Sequence, residues 1–351
     1  MKLKDKEINL NIRNNFKVAP GLFSTEQLSQ WLKMAEQCIA QKTCLAIMGP
    51  TASGKSQLSM DLARVLPIEI ISVDSALIYR QMDVGTAKPT AQELATVPHH
   101  LINTHDPLQT YSAAEFVEDV HGLVADILGR GCLPVLVGGT MMYFNALQQG
   151  MSDLPEADKS VREALQALWV QDPSQLHAQL HDIDLVSAQR IHPNDPQRLI
   201  RALEVFKTSG KTLTELRALP KPSLSAFKLI KVALLPQDRS KLHDQIGVRF
   251  EQMLEKGLLQ EVKQLMQRGD LHADLTAMRS VGYRQAWLFL QGDYDYPTFI
   301  EKGLVATRQL AKRQLTWLRK EPDLELFDPF STTRIERLEG VLNLIQSHVR
   351  H

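Results

Sequence analysis

Apolar positions along this chain follow two rhythms, and their alternation predicts its architecture. Short apolar-rich runs at 44–48, 68–73 and 133–137 suit strands buried on both faces. Between them, 57–66 and 113–128 carry apolar residues at helical spacing. Strands alternating with helices predict an α/β fold with a doubly wound parallel sheet. Such sheets bind ligands at the carboxyl ends of their strands. The polar residues expected there are Thr51 to Ser56, Asp74 and Thr140.

The flanks read differently. Residues 1–23 form a polar leader ending in Pro20-Gly21. Ser24 and Gln27 then make a capping box, and Leu28, Trp31, Leu32, Ala35, Cys38 and Ile39 recur at helical spacing. This predicts an amphipathic helix docked on the core. Over 152–225, helical patterns at 161–169, 173–180 and 196–209 follow one another without strands, and 228–235 reads as one more strand. A helical subdomain inserted into the sheet domain is therefore expected. After Pro236 the pattern is helical at 239–256, 258–268, 278–290 and 297–319. The predicted organisation is a leader and helix at 1–42, a core at 43–151 and 226–330, an insertion at 152–225 and a C-terminal helix or tail at 331–351.

Composition changes this picture little. Of 351 residues, 44% are apolar and 23% charged, as in ordinary globular chains. Lys plus Arg and Asp plus Glu balance at 40 each, so net charge points to no polyanionic partner. A neutral total still permits a basic face. Cys38, Cys44 and Cys132 fit neither a disulfide framework nor a zinc ribbon and read as buried thiols of a cytoplasmic protein. No run approaches the ~20 apolar residues of a membrane span. His99, His100 and His105 with Asp106 look like a metal cluster, but their spacing matches no zinc motif.

The chemistry begins at Gly49-Pro50-Thr51-Ala52-Ser53-Gly54-Lys55-Ser56, which fits the phosphate-loop pattern G-x-x-x-x-G-K-[ST] between a strand and a helix. Glycines let backbone N–H groups converge on phosphate oxygens, and the helix N-terminus adds partial positive charge. Lys55 neutralises the outer phosphate, and Ser56 offers its hydroxyl to Mg²⁺. Alone, the loop suggests a nucleotide or small-molecule kinase that binds ATP, with Asp74 as the magnesium carboxylate.

Further stretches point elsewhere: 71–79 (ISVDSALIY), 83–89 (DVGTAKP), Val137-Gly-Gly-Thr140 with Tyr143, 192–198 (HPNDPQR) with Arg201, 279–284 (RSVGYR) and 312–319 (KRQLTWLR). With the phosphate loop they resemble the bacterial-type tRNA dimethylallyltransferases, over about 43–320. The resemblance implies transfer of a dimethylallyl group from dimethylallyl diphosphate to N6 of adenosine 37, in tRNAs reading codons that begin with U. The loop and Mg²⁺ would then hold the diphosphate leaving group. Asp74 would orient the N6 amine and take its proton; an Asp there also suits a helix cap or a Mg²⁺ ligand. Thr140 would reach the diphosphate or the amine, or cap the helix at 141–147. Arg249 matches a family arginine that contacts the diphosphate.

The resemblance also places tRNA contacts on Asp74, Ser75, Ala76 and Leu77, on Thr140 and Arg162, and on Gln197, Arg198, Leu199, Ile200 and Arg201. It adds Arg279, Ser280, Val281, Gly282, Tyr283 and Arg284, and Lys312, Arg313, Gln314, Leu315, Thr316, Trp317, Leu318 and Arg319. Residues 306–320 carry five basic residues and no acid, with Trp317 among them, which suits phosphate gripping and base stacking. A monomer is expected. The competing readings are a phosphate-loop kinase and a non-catalytic RNA-binding module.

Overall fold

The computed structural model describes residues 23–150, 154–219 and 226–349. The leader up to residue 22 lies outside the described residues. Six parallel strands form one sheet: β1 (Thr43–Met48), β2 (Ile68–Val73), β3 (His99–His100), β4 (Leu133–Gly138), β5 (Lys228–Leu234) and β6 (Glu325–Phe327), in the order β3-β2-β4-β1-β5-β6. β1, β2 and β4 are buried throughout, as their near-continuous apolar sequence requires. Pairing of Met48 with Gly138 and of Val73 with Gly138 brings the ends of these three strands level. The loops that follow them therefore emerge side by side. A β-carbon at Gly138 would lie 2.0 Å from the Val73 carbonyl oxygen, so the strands meet there only with glycine.

β3 and β6 escape the hydrophobic pattern because they have two and three residues and no fully buried position. In β3, His100 Nε2 pairs with Glu69 Oε2 at 2.8 Å, and Arg130 donates to both Glu69 oxygens at 2.9 and 2.8 Å. His100 thus serves an ion group at the start of β2, while His99 pairs with the Val97 carbonyl and His105 with the Thr104 hydroxyl. Among the described residues no cluster of three or more His, Cys, Asp or Glu is placed to hold a metal.

The terminal helices are part of the core, not appendages to it. Helix Thr25–Ala40 opens with the Ser24–Gln27 capping box and buries Trp31, Met34, Ala35 and Cys38. These pack with Leu338, Val341, Leu342 and Ile345 of helix Arg334–Val349 and with sheet residues such as Leu45, Val135 and Val232. Helix Arg334–Val349 thus shares an apolar cluster with the sheet and with helix Thr25–Ala40. A second cluster joins Ile78, Tyr79 and Met82 to Phe250, Leu258, Tyr283 and Phe299.

Two helix boundaries also move. The first core helix runs Lys55–Leu62 and stops short of 66. The helix expected from 278 starts at Tyr283, because Gly282 at φ 93° breaks the backbone ahead of it. Residues 145–224 form a separate compact unit, beginning before the expected 152. Its described helices, Lys159–Gln171, Pro173–Ile183, Leu185–Arg190, Pro196–Ser209 and Leu213–Ala218, enclose Leu165, Leu176, Leu180, Leu199 and Leu203. Side chains of Asp158, Asp172, Asp184, Asp195 and Thr212 cap them.

Candidate active site

The level strand ends open into a cleft of about 170 Å³, lined by the phosphate loop, the 74–77 turn, the 85–87 loop and helices Arg239–Glu255 and Tyr296–Leu318. Gly54 at φ 89° turns the chain into helix Lys55–Leu62, a geometry favouring glycine. Gly49 is needed for closeness, since a β-carbon there would sit 2.6 Å from Ser53 Oγ. Lys55 lies in the cleft, and its Nζ donates to the Pro50 carbonyl at 2.7 Å. Ser53 Oγ is buried and has no hydrogen-bond partner among the described residues. The loop thus brings a cation into the cleft beside the helix N-terminus, as an anion site does.

Arg249 faces the same space. Its helix presents Ile246, Arg249, Phe250 and Met253 to the cleft at the i, i+3, i+4, i+7 spacing of one helix face. Arg249 Nη2 donates to the Thr86 carbonyl at 3.3 Å. Burial lowers the Arg249 pKa, against the opposing pull of Asp74. Burial also lowers that of Lys55, to about 7, helped by the neighbouring Arg249 charge and opposed by Asp74. Two half-buried cations in one cleft repel each other, and a bound polyanion relieves both.

Across the cleft stands Asp74, just past β2. Its Oδ1 accepts from the N–H groups of Ala76 at 2.9 Å and Leu77 at 3.4 Å. This Asx-type turn fixes the carboxylate while its second oxygen has no protein donor among the described residues. Thr140 does not line the cleft as expected. Its Oγ1 accepts from Ser75 N–H at 3.1 Å, tying the loop after β4 to the Asp74 turn. It caps the next helix only through its backbone carbonyl, which accepts from Tyr143 and Phe144.

Several residues expected at an RNA surface lie elsewhere. Leu199, Ile200, Tyr283, Leu315 and Leu318 are buried and serve apolar packing. Gln314 is a strut of the site: Oε1 accepts from Thr51 N–H and Nε2 donates to the Gly139 carbonyl, both at 2.9 Å. Gly139 must stay small, because a β-carbon there would come within 2.4 Å of Gln314 Nε2. Ser280, Val281 and Gly282 line the cleft. Arg279, Arg284, Lys312, Arg313, Thr316, Trp317 and Arg319 are exposed. In the helical unit Gln197 and Arg198 are exposed, whereas Arg162 and Arg201 both donate to buried Glu204, at 2.8 and 2.7 Å.

The sequence reading missed Gln314 as a strut, and it missed Glu261. Glu261 accepts the backbone N–H groups of Asp83, Val84 and Gly85 at 2.8, 2.8 and 3.1 Å and the Tyr283 hydroxyl at 2.5 Å. Helical periodicity was the available signal for Gln314, which shares a face with Ala311, Leu315 and Leu318. Nothing local marks Glu261.

This arrangement can bind a diphosphate, exclude water with its apolar wall and hold a carboxylate opposite the leaving group. Residues 77–321 match the family model described as IPP transferase. The tRNA dimethylallyltransferase of Hydrogenovibrio crunogenus (strain DSM 25203 / XCL-2) is 62% identical over 312 residues, which cover 89% of this chain and 96% of that protein. The crystal structure of the full-length tRNA isopentenylpyrophosphate transferase of Bacillus halodurans is similar with a TM-score of 0.66 at 36% identity, over 88% of this chain and 97% of that one. A eukaryotic dimethylallyltransferase captured acting on tRNA gives a TM-score of 0.74 at 27% identity, over 87% and 80% of the two chains. With a cleft of this kind and matches over most of its length, the chain belongs to the IPP transferase family, the tRNA dimethylallyltransferases.

Proposed function

We propose that the chain transfers a dimethylallyl group from dimethylallyl diphosphate to the exocyclic N6 of adenosine 37 in tRNA, releasing diphosphate. The observation that carries this reading is the pairing, in one cleft, of half-buried Lys55 and Arg249 with the Asp74 carboxylate. Lys55, Arg249 and the loop N–H groups bind the diphosphate. They stabilise the charge that collects on it as the carbon–oxygen bond breaks. Ile246, Phe250, Met253 and Leu310 give the five-carbon chain an apolar wall and keep water from the allylic carbon. Asp74 accepts a hydrogen bond from N6–H, orients the weakly nucleophilic amine and takes its proton as the nitrogen–carbon bond forms.

The residues fit a magnesium ion shared with the donor. The Ser56 hydroxyl lines the cleft, and no described acidic or His/Cys cluster competes for a resident metal. Such an ion takes most of its ligands from phosphate oxygens and water. When bound, it neutralises part of the leaving group's charge.

The adenine leaves its loop stack to reach Asp74, at a cost of a few kcal/mol that is least in a single-stranded loop. Exposed Arg279, Arg284, Lys312, Arg313 and Arg319, with Trp317, support phosphate and base contacts on the core unit. Gln197 and Arg198, with the partly exposed Arg162 and Arg201, do so on the helical unit. No helix among the described residues is long and apolar enough to cross a membrane. The reaction fits the cytoplasm, where tRNA is available.

The test is incubation with labelled dimethylallyl diphosphate and an anticodon stem-loop carrying adenosines at 36–38. Label on the RNA is expected. Unlabelled RNA alongside ATP turnover with a small acceptor would overturn the reading.

A further inference from the structure

The 83–89 stretch contributes Gly85, Thr86 and Ala87 to the cleft wall, yet none of its side chains performs a step of the reaction. What the loop supplies is a carbonyl. Among the described residues, the one hydrogen-bond acceptor of the Arg249 guanidinium is Thr86 O. Arg249 is half-buried with the Lys55 charge and the Asp74 carboxylate near it, and the Thr86 carbonyl is the group that holds its guanidinium by a hydrogen bond.

The anchor is not held by the loop alone. Ala87 sits at φ 49°, in the left-handed region that a side chain disfavours, so the turn persists only if its surroundings over-determine it. Glu261 supplies most of that restraint. One of its oxygens takes the N–H groups of Asp83 and Val84, and the other takes Gly85 N–H and the Tyr283 hydroxyl. Tyr283 is fully buried, and its ring fills the space beside Gly85, where a β-carbon would lie 2.5 Å from it. Burial and the neighbouring Glu261 carboxylate push its pKa up, which keeps the hydroxyl protonated and donating. Lys88 closes the far end of the turn, with Nζ on Tyr79 O, Asp83 Oδ1 and Asn103 Oδ1 at 2.7, 2.6 and 2.6 Å.

We propose that Glu261, with Tyr283, is a positioning residue for the prenyl donor: it fixes the 83–87 loop so that Thr86 O aims Arg249 at the diphosphate. The inference rests on the reading that Arg249 meets the donor's diphosphate. Glu261 touches no substrate and acts through the loop and Arg249.

The experiment uses the full chain and two readouts. One is calorimetric binding of inorganic diphosphate with Mg²⁺; the other is steady-state kinetics with dimethylallyl diphosphate and the stem-loop RNA. Glu261→Gln leaves three N–H groups and a phenol facing a half-matched amide. It should weaken diphosphate binding, raise the donor KM by about tenfold and lower kcat with it, while the RNA KM stays within about twofold of the parent. Tyr283→Phe keeps the ring and removes two hydrogen bonds, one to Glu261 and one from Gly85 N–H, so it should raise the donor KM by about threefold; this milder variant serves if Glu261→Gln does not fold. In an Arg249→Ala background, Glu261→Gln should add nothing further. A donor KM unchanged in Tyr283→Phe overturns the inference. So does full additivity of Glu261→Gln with Arg249→Ala, or equal change in the donor and RNA KM values. A parent that binds diphosphate as tightly as Glu261→Gln does overturns the inference alone, whereas a parent that binds none overturns the donor-site reading with it.

Discussion

Strand β2 meets buried charge at both of its ends and treats it in opposite ways. At its start, Glu69 is matched by Arg130 and His100 at hydrogen-bonding distance. Those bonds outweigh the upward push of burial and leave the Glu69 carboxyl below its usual range. Past its other end, Asp74 faces Lys55 and Arg249 in an open cleft, and among the described residues both cations donate hydrogen bonds only to backbone carbonyls. A satisfied ion group stabilises the fold, whereas half-buried cations with no hydrogen-bonded carboxylate keep a place for an anion that arrives from outside. The same sheet holds both because parallel strands gather their loops at the carboxyl ends alone.

The sharpest way to break this contrast is at Asp74. Asp74→Asn keeps the shape and loses the base, so kcat should fall by about 10²–10⁴-fold with tRNA affinity nearly unchanged. Equal loss of rate and tRNA binding would show that the carboxylate is structural like Glu69. Lys55→Ala comes next. It removes a charge-assisted contact, so affinity for dimethylallyl diphosphate should fall by about ten- to a hundredfold, read by calorimetry. Thermal unfolding should show less than the loss expected of a matched ion pair, because the one hydrogen-bond partner given up is the neutral Pro50 carbonyl.

The Lys55 titration sharpens the comparison further. Its pKa is lowered to about 7, so the unfolded chain holds the extra proton from that pH up to the ordinary lysine range. Over that window stability gains as pH rises, since the buried charge is relieved. Donor binding has the opposite sign: diphosphate favours the protonated amine, so its affinity should drop as pH rises above about 7, by up to about tenfold per unit. A flat affinity between pH 7 and 9 would show that the Lys55 amine stays protonated over that range. The smallest effect on activity belongs to Glu69→Gln. It should lower stability by ~1–2 kcal/mol, allowing for the partial exposure of Arg130 and His100, and leave kcat and both KM values unchanged. Since the Glu69 pKa is depressed, its contribution is present above the unfolded carboxylate value and is lost as pH falls through the folded one.

Much of the site was legible because it is local. The phosphate loop is contiguous, and Asp74 announces itself as a carboxylate where a buried strand stops. The interior strands were equally plain, since burial on both faces leaves little room for polar residues. What the sequence hid depends on distant partners. Glu261 is one acid on an amphipathic helix, and the N–H groups it serves lie at 83–85. Thr140 also ties its loop to the Asp74 turn, since its Oγ1 accepts from Ser75 N–H, a partner 65 residues away that residue type does not reveal. Leu315, Leu318 and Gln314 sit in a basic stretch but on its inward face, which residue type alone does not reveal and the period of 3.6 does. β3 and β6 are too short for any periodicity to register.

Analysis of the product nucleoside tests the central claim most directly. After turnover of an anticodon stem-loop with dimethylallyl diphosphate, Mg²⁺ and no ATP, digestion should yield N6-(dimethylallyl)adenosine from position 37 alone. One diphosphate should be released for each modified nucleoside, and both products should form about 10²–10⁴-fold more slowly with Asp74→Asn. Diphosphate release without modified adenosine, or modification that requires ATP, would contradict the account.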